Sequence, residues 1–372
     1  MKKKLFYIAN MRMPTERAHG IQIMEMCQAF SNLEYDVELV VTNRKTSVLE
    51  DPFVFYDIPE SFKITKLWCW DAINLGRIGF WIQSLTFAER TAWYLLNKKG
   101  IFYTRDELLA VYLKLFGKDV AWETHMGRNN ILVSMIKALK IPVVAITDGL
   151  KDVYLKSGMA SEKILVAPDG ADIGRFDISI SKHDARKQLN LPQDKKIILY
   201  KGSLTPWKGA GTLAESTKFS MTPDTQFVFI GGNPTDVEEF KKEFGHIENI
   251  SILGNRPRKE TPIYQKAADL LIIPNSAKED ISKLYTSPMK LFGYMAGGVP
   301  IIASDLPSIK EILGEKDAYF FIPDDARSLG EMIDNVFSNI NEAEQKALKS
   351  LFKVREYSWE KRAESILAFI KA

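Results

Sequence analysis

The sequence predicts an α/β protein of two doubly wound, Rossmann-like domains facing each other across a cleft. Three observations predict it. Short apolar runs alternate with amphipathic helical patterns along the chain. The runs are continuous in Ile, Val and Leu, as strands covered on both faces are. The series stops in a polar stretch and then starts again, and 372 residues are enough for two domains.

KLFYIAN (4–10) and DVELVVTN (36–43) read as buried strands. GIQIMEMCQAFSNL (20–33) between them reads as a helix, with Ile23, Met26, Cys27 and Phe30 at helical spacing. GIFYTRD (100–106), DVAWETH (119–125) and PVVAIT (142–147) continue the strands, with helical patterns between. The polar connection follows, placed near Val166–Phe176. The second series is KIILYKGS (196–203), QFVFIGG (226–232), ISILGN (250–255), LLIIPN (270–275), VPIIAS (299–304) and AYFFI (318–322). Helices are expected near 208–219, 234–244, 260–268, 288–297 and 325–339. The expected division is 1–166 with a terminal helix at 357–372, and 167–356. Ligands of doubly wound sheets bind at strand carboxyl ends, so the loops after strands carry the candidate chemistry.

The apolar fraction of 46% supports two cores. The net charge of +3 comes from lysines spread along the chain, and no nucleic-acid partner is expected. Cys27 and Cys69 form no CxxC and no disulfide framework, which suits a reducing compartment. The opening MKKKLFYIANMRMP is basic and then apolar, but Arg12 and Pro14 break the run, so a first strand is expected there rather than a leader. No segment has the roughly 20 apolar residues of a membrane span. The expected location is the cytoplasm. The aromatic run at 68–94 is either core and surface helix or a patch that rests on the inner membrane face.

Several loops carry candidate chemistry. In YTSPMKLFGYMAGG (285–298), Ser287 suits an N-cap and Pro288 a first helical position. Helix starts suit phosphate, and Lys290 stands where the helix dipole disfavours a cation, which an anion nearby would explain. KGSLTPWKG (201–209) joins a strand to a helix, with Lys208 at the helix start; it is not a Walker A loop. MRMPTERAHGIQI (11–23) carries Arg12, Arg17, His19 and Gly20. WETH (122–125) puts Glu123 and His125 at a strand end, and FIGG (229–232) ends another strand in glycines. There is no HExxH or DxD, the four histidines are far apart, and no metal site is expected.

These pieces together resemble the retaining glycosyltransferases of family 4, glycosyl transferases group 1, which have the GT-B fold. RAHGIQI, ETH, AITDGLKDVYLKSGMASEKILVAPDGADIGRFD (145–177), GSLTPWKG, FIGG, YTSPMKLFGYMAGGVPIIASDLPSIKEIL (285–313) and YSWEKRAESILAFI (357–370) carry the resemblance in the expected order. It implies a hexosyltransferase in surface-polysaccharide synthesis, with a UDP- or GDP-linked donor, a glycan or lipid-linked acceptor, and no metal or other cofactor. Lys208 would neutralise the donor diphosphate. Ser287, Pro288, Met289 and Lys290 would form the phosphate-holding helix start. Gly20 would let the donor approach, and His125 would contact its sugar. Ser203, Gly231 and Gly232 would lie beside the nucleotide, and Arg256 near the base.

Three positions depart from the family pattern. Its paired glutamates fall at Tyr285 and Gly293, and its frequent arginine at Ser203. The second glutamate would hold the ribose hydroxyls. Its loss would weaken donor binding by roughly one to three orders of magnitude. The departure also admits a different reading, a degenerate fold acting as a non-catalytic partner subunit. A glycine inside a helix costs about 1 kcal/mol against alanine, so Gly293 needs an explanation.

Overall fold

The computed structural model describes residues 2–371. By their internal contacts they form two units. One runs to Pro168 and takes back the chain from Trp359 onward; the other is Asp169–Ser358.

The first unit holds a seven-stranded sheet of β1 (Lys4–Ala9), β2 (Asp36–Thr42), β3 (Lys63–Leu67), β4 (Ile101–Thr104), β5 (Val120–Thr124), β6 (Val143–Ala145) and β7 (Ile164–Val166). The order is β3-β2-β1-β4-β5-β6-β7 and every pairing is parallel. The central strands are the apolar runs, buried along almost their whole length. The two edges, β3 and β7, are not marked in the sequence. KITKL carries lysines on a half-covered edge, and three residues are too few to show a period. The helix Trp359–Lys371 packs on the helix Ala18–Asn32 in this unit.

The second unit holds β8 (Lys196–Lys201), β9 (Thr225–Ile230), β10 (Ile250–Gly254), β11 (Leu270–Ile273), β12 (Ile301–Ser304) and β13 (Tyr319–Phe321), in the parallel order β10-β9-β8-β11-β12-β13. Alternate residues of β8 enter opposite cores, as strand geometry requires. Ile197 and Leu199 pack with Tyr264, Leu291 and Tyr294, while Ile198 and Tyr200 pack with Leu213, Phe229 and Leu329. The chain reverses direction across the sheet between β8 and β11, so the loops after these strands flank the switch point where such folds bind ligands. The two loops are joined: Ser276 N–H donates to the Trp207 carbonyl at 3.0 Å. These two domains bear out the α/β, Rossmann-like class expected from the sequence.

The start of the helix Met289–Gly297 differs from expectation. Pro288 is the extended flanking residue, not the first helical one, and no side chain caps the end. Ser287 does not cap because its hydroxyl accepts the Asp169 amide at 2.9 Å. It ties the connection between the units to the loop before the helix.

Candidate active site

Two lysines converge at the carboxyl end of β8. Lys208 closes the short 3-10 turn Pro206–Lys208, and its ammonium lies 3.7 Å from the Trp207 ring centroid. Lys290, in the first turn of Met289–Gly297, reaches 4.5 Å from the Tyr200 ring and 3.7 Å from where a Gly202 Cβ would stand. Its Nζ is buried with no hydrogen-bond partner. Burial brings Lys208 down to about 8. Burial, and then the charge of Lys208, push Lys290 well below the usual lysine value. Two amino groups whose charges oppose each other, one of them without any acceptor, are an arrangement suited to an anion.

The other candidates of this unit surround the pair or lie apart from it. Gly231 has φ +112° and packs so closely on the β8 loop that a Cβ would stand 2.2 Å from the Gly202 carbonyl oxygen. Gly232 follows it against Leu204. Ser203 hydrogen-bonds Thr205 Oγ1 at 3.1 Å, and its carbonyl accepts the Tyr200 hydroxyl at 2.5 Å, so it shapes the turn. Lys290 is a cation beside this turn, at whose position 203 the resemblance leads one to expect an arginine. Arg256 is exposed after β10, Tyr285 is half-buried before the helix, and Pro288 is buried with Met289 at its rim.

Gly293 is buried, and the side its Cβ would occupy is taken. The Phe176 ring would lie 3.1 Å from that Cβ, with Gln265 Nε2 at 3.8 Å. The glycine that looks like a helix defect in the sequence is where the 3-10 turn Gly174–Phe176 packs onto the helix. Glu279 and Asp280, at the start of the short helix Asp280–Lys283, are exposed.

Gly20 and His125 belong to the first unit. At Gly20 a Cβ would meet the Tyr56 hydroxyl at 2.2 Å, and that hydroxyl is itself fixed by the Thr15 backbone, so packing alone accounts for the glycine. His125 Nε2 lies 2.5 Å from Glu123 Oε1. Glu123 is fully buried in β5 and also binds Gln22 Nε2 at 2.8 Å, the Tyr103 hydroxyl and Arg362 Nη2 at 3.0 Å. Burial pushes its carboxyl up, but Arg362, the His125 bond and Arg105 outweigh burial and hold it well below the carboxylate range. Burial and Arg105 lower His125 to about 4, against the pull of Glu123. At neutral pH the imidazole is neutral. With an ionised carboxylate at Nε2, that nitrogen carries the proton and Nδ1 is left as an acceptor. His125 lines a cavity of about 370 Å³ with Phe80, Trp81, Arg105, Asp106 and Arg128. Glu123 is legible as a strand-end acid, but Arg362 lies 239 residues away from it and carries no local signal.

The aromatic run is largely on the surface. Trp70 is 61% and Ile78 71% exposed, with Trp68, Phe80 and Trp81 also open, while Phe87 and Ala88 take the core side of the helix Gly76–Leu95. Among the described residues no helix is long and apolar enough to cross a membrane.

Two parallel-sheet Rossmann-like domains of this kind are the fold class of GT-B glycosyltransferases. Residues 181–349 match the family described as glycosyl transferases group 1. The provisionally named teichuronic acid biosynthesis glycosyltransferase TuaC of Bacillus subtilis is 28% identical over 59% of this chain and 53% of its own length. A galactosyltransferase of Escherichia coli that acts from UDP-Gal on α-D-GlcNAc-diphosphoundecaprenol is 26% identical over 39% of this chain and 37% of its own. The chain thus spans about half the length of the first curated relatives it matches. Among solved structures, Anabaena HepE in complex with UDP and glucose covers all of both chains with a TM-score of 0.79 at 13% identity. Sucrose-phosphate synthase from Thermosynechococcus elongatus gives 0.78 at 18%, covering 100% of this chain and 98% of that one. At these identities the structures speak for the fold.

Proposed function

We propose that this chain is a retaining, metal-independent hexosyltransferase. It moves a sugar from a UDP- or GDP-linked donor to a glycan or lipid-linked acceptor in cell-surface polysaccharide synthesis, and works in the cytoplasm. The observation that carries this reading is the Lys208–Lys290 pair at the β8 switch point, with Lys290 buried and unpartnered. Cleaving a sugar from a nucleoside diphosphate builds negative charge on the leaving phosphate and positive character on the sugar. The two ammonium groups are suited to stabilise the first, and do so more strongly in a site poor in water. The backbone amides of Ser287 and Met289, on either side of Pro288, add donors to the same anion. His125, neutral with Nδ1 as acceptor, is suited to a sugar hydroxyl. Relatives named for teichuronic acid support a role in surface polysaccharide, and the UDP and glucose bound by HepE support the donor class.

The exposed Trp68, Trp70, Phe80 and Trp81 favour peripheral contact with the inner membrane face. Co-sedimentation with anionic vesicles tests this, and a chain that stays in the supernatant contradicts it.

One observation favours the second reading, a non-catalytic binding or partner subunit: Gly293 supplies no carboxylate, and Phe176 occupies the space beside it. Sugar release from UDP- and GDP-sugars separates the two. Turnover that disappears in Lys208→Ala supports the enzyme. Donor binding without turnover, with any acceptor fraction, supports the partner subunit.

A further inference from the structure

The cavity of about 370 Å³ beside His125 lies at the carboxyl ends of β4 and β5, and the residues that line it belong to the first unit. Trp122 lines it from β5. This side chain is 1% exposed, and its one polar atom, Nε1, is buried with no hydrogen-bond partner among the described residues. The Tyr154 ring holds the indole edge-to-face, with centroids 5.5 Å apart. A buried donor of this kind is unfavourable until an acceptor arrives. Most other polar groups of the lining have partners at hand. Arg105 donates to Gln22 Oε1 at 2.9 Å and lies 3.7 Å from Glu123, Asn130 donates to Glu107 Oε2 at 2.7 Å, and Thr124 and Tyr154 share a bond of 2.7 Å. Arg128 is exposed. What the buried side of the cavity offers a ligand is therefore a neutral donor rather than a charge.

The same cavity is apolar where it meets solvent. Phe80, Trp81, Met126 and Ile131 line it and are exposed, Ile131 by 77%. Ile78 and Leu85, three and four positions from Trp81, are exposed on the same face of the helix Gly76–Leu95 and extend the surface. A sugar without a tail leaves this surface in water, and a hydrocarbon without a sugar leaves Trp122 Nε1 unmatched. An amphiphile whose hydroxyl-bearing head enters the cavity satisfies both.

We propose that the cavity takes the sugar of a lipid-linked acceptor, with Trp122 Nε1 donating to one of its hydroxyls, and that Phe80, Trp81 and Ile131 carry the start of the lipid chain. This selects the lipid-linked acceptor over the free glycan and makes Trp122 a specificity-determining residue. Only the ligand's role as acceptor rests on the glycosyltransferase reading; the match of head and tail to the cavity does not.

Octyl glucoside, octyl galactoside and octyl mannoside, each below its micellar concentration and each compared with its methyl glycoside, test this by calorimetry on the full chain. At least one octyl glycoside is expected to bind about tenfold or more tightly than its methyl counterpart, which roughly two buried methylenes suffice to give. Ile131→Asp, at an exposed position, is expected to remove most of that preference. Trp122→Phe is expected to weaken octyl and methyl glycosides alike, by about two- to tenfold. Should Trp122→Phe not fold, the Trp122 indole N–H resonance of the wild type serves: it shifts with the glycoside, and a resonance that stays put overturns the proposal. Equal binding of octyl and methyl glycosides, or binding of none of them, also overturns it. Anionic vesicles that bind the chain while no glycoside moves the Trp122 resonance make the surface a bilayer contact only, and overturn it too. Glycoside binding in a chain that binds neither UDP nor GDP keeps the site and removes its acceptor role. UDP binding without any glycoside binding keeps the glycosyltransferase reading and overturns the site.

Discussion

Glu123 Oε2 and Arg362 Nη2 lie 3.0 Å apart, both side chains almost fully buried. Arg362 Nε also donates to the carbonyls of Ala167 and Pro168, at 3.1 and 2.9 Å. One side chain on the C-terminal helix therefore holds both the carboxylate that orients His125 and the residues at which the chain first leaves this unit. Removing one partner of a buried pair costs about 3–5 kcal/mol. Arg362→Met is expected to lose that much in denaturant unfolding, and Glu123→Gln with Arg362→Met less than the two singles together. A loss under about 1 kcal/mol for Arg362→Met contradicts this role.

Lys208 and Lys290 are each expected to matter to diphosphate binding. A hydrogen bond to a charged group contributes about 1.5–3 kcal/mol, so Lys208→Ala or Lys290→Met should weaken UDP roughly 10–150-fold. Lys208 titrates near 8 in the free protein, and an anion favours its charged form. UDP affinity is therefore expected to fall as pH rises through 8, and binding there to take up protons. Calorimetry in buffers of different ionisation enthalpy reads this directly. Proton release on binding at pH 8 would give the opposite sign.

Gly293 separates helix propensity from packing. Gly293→Ala gains about 1 kcal/mol of propensity, but its Cβ presses on Phe176 at 3.1 Å. The two effects nearly cancel, so its stability is expected within about 1 kcal/mol of wild type. Gly293→Glu alone is not expected to strengthen UDP binding, because the ring stands in its way. Combined with Phe176→Ala, it is expected to gain about tenfold. Equal UDP affinity in single and double variants would show that the ring is not the obstacle.

Acid should unfold the first unit through its histidines. His125 and His19 titrate near 4, below the ordinary 6.5. Below pH 6.5 the unfolded chain takes up protons that the folded chain refuses. This contribution is complete above 6.5 and drains away as pH falls toward 4. It is at most about 3 kcal/mol at His125. His125→Gln is expected to flatten the fall in melting temperature between pH 6.5 and 4; an unchanged slope contradicts the assignment.

What the sequence displays depends on how local the cause is. The central strands are legible because both their faces are buried, and the lysine pair because each member sits at a recognisable helix start. β3 and β7 are hidden by lysines and by brevity. Ser287 misleads because a good capping residue is used by Asp169, 118 positions away. Gly293 shows only an absence until Phe176 is seen against it.

The most direct test of the central claim is a calorimetric titration of UDP and GDP into wild type and Lys208→Ala. A nucleoside diphosphate that binds the wild type and is weakened at least tenfold by the substitution is the predicted result. No binding at millimolar concentration of either nucleotide, or equal binding to both proteins, would contradict the claim.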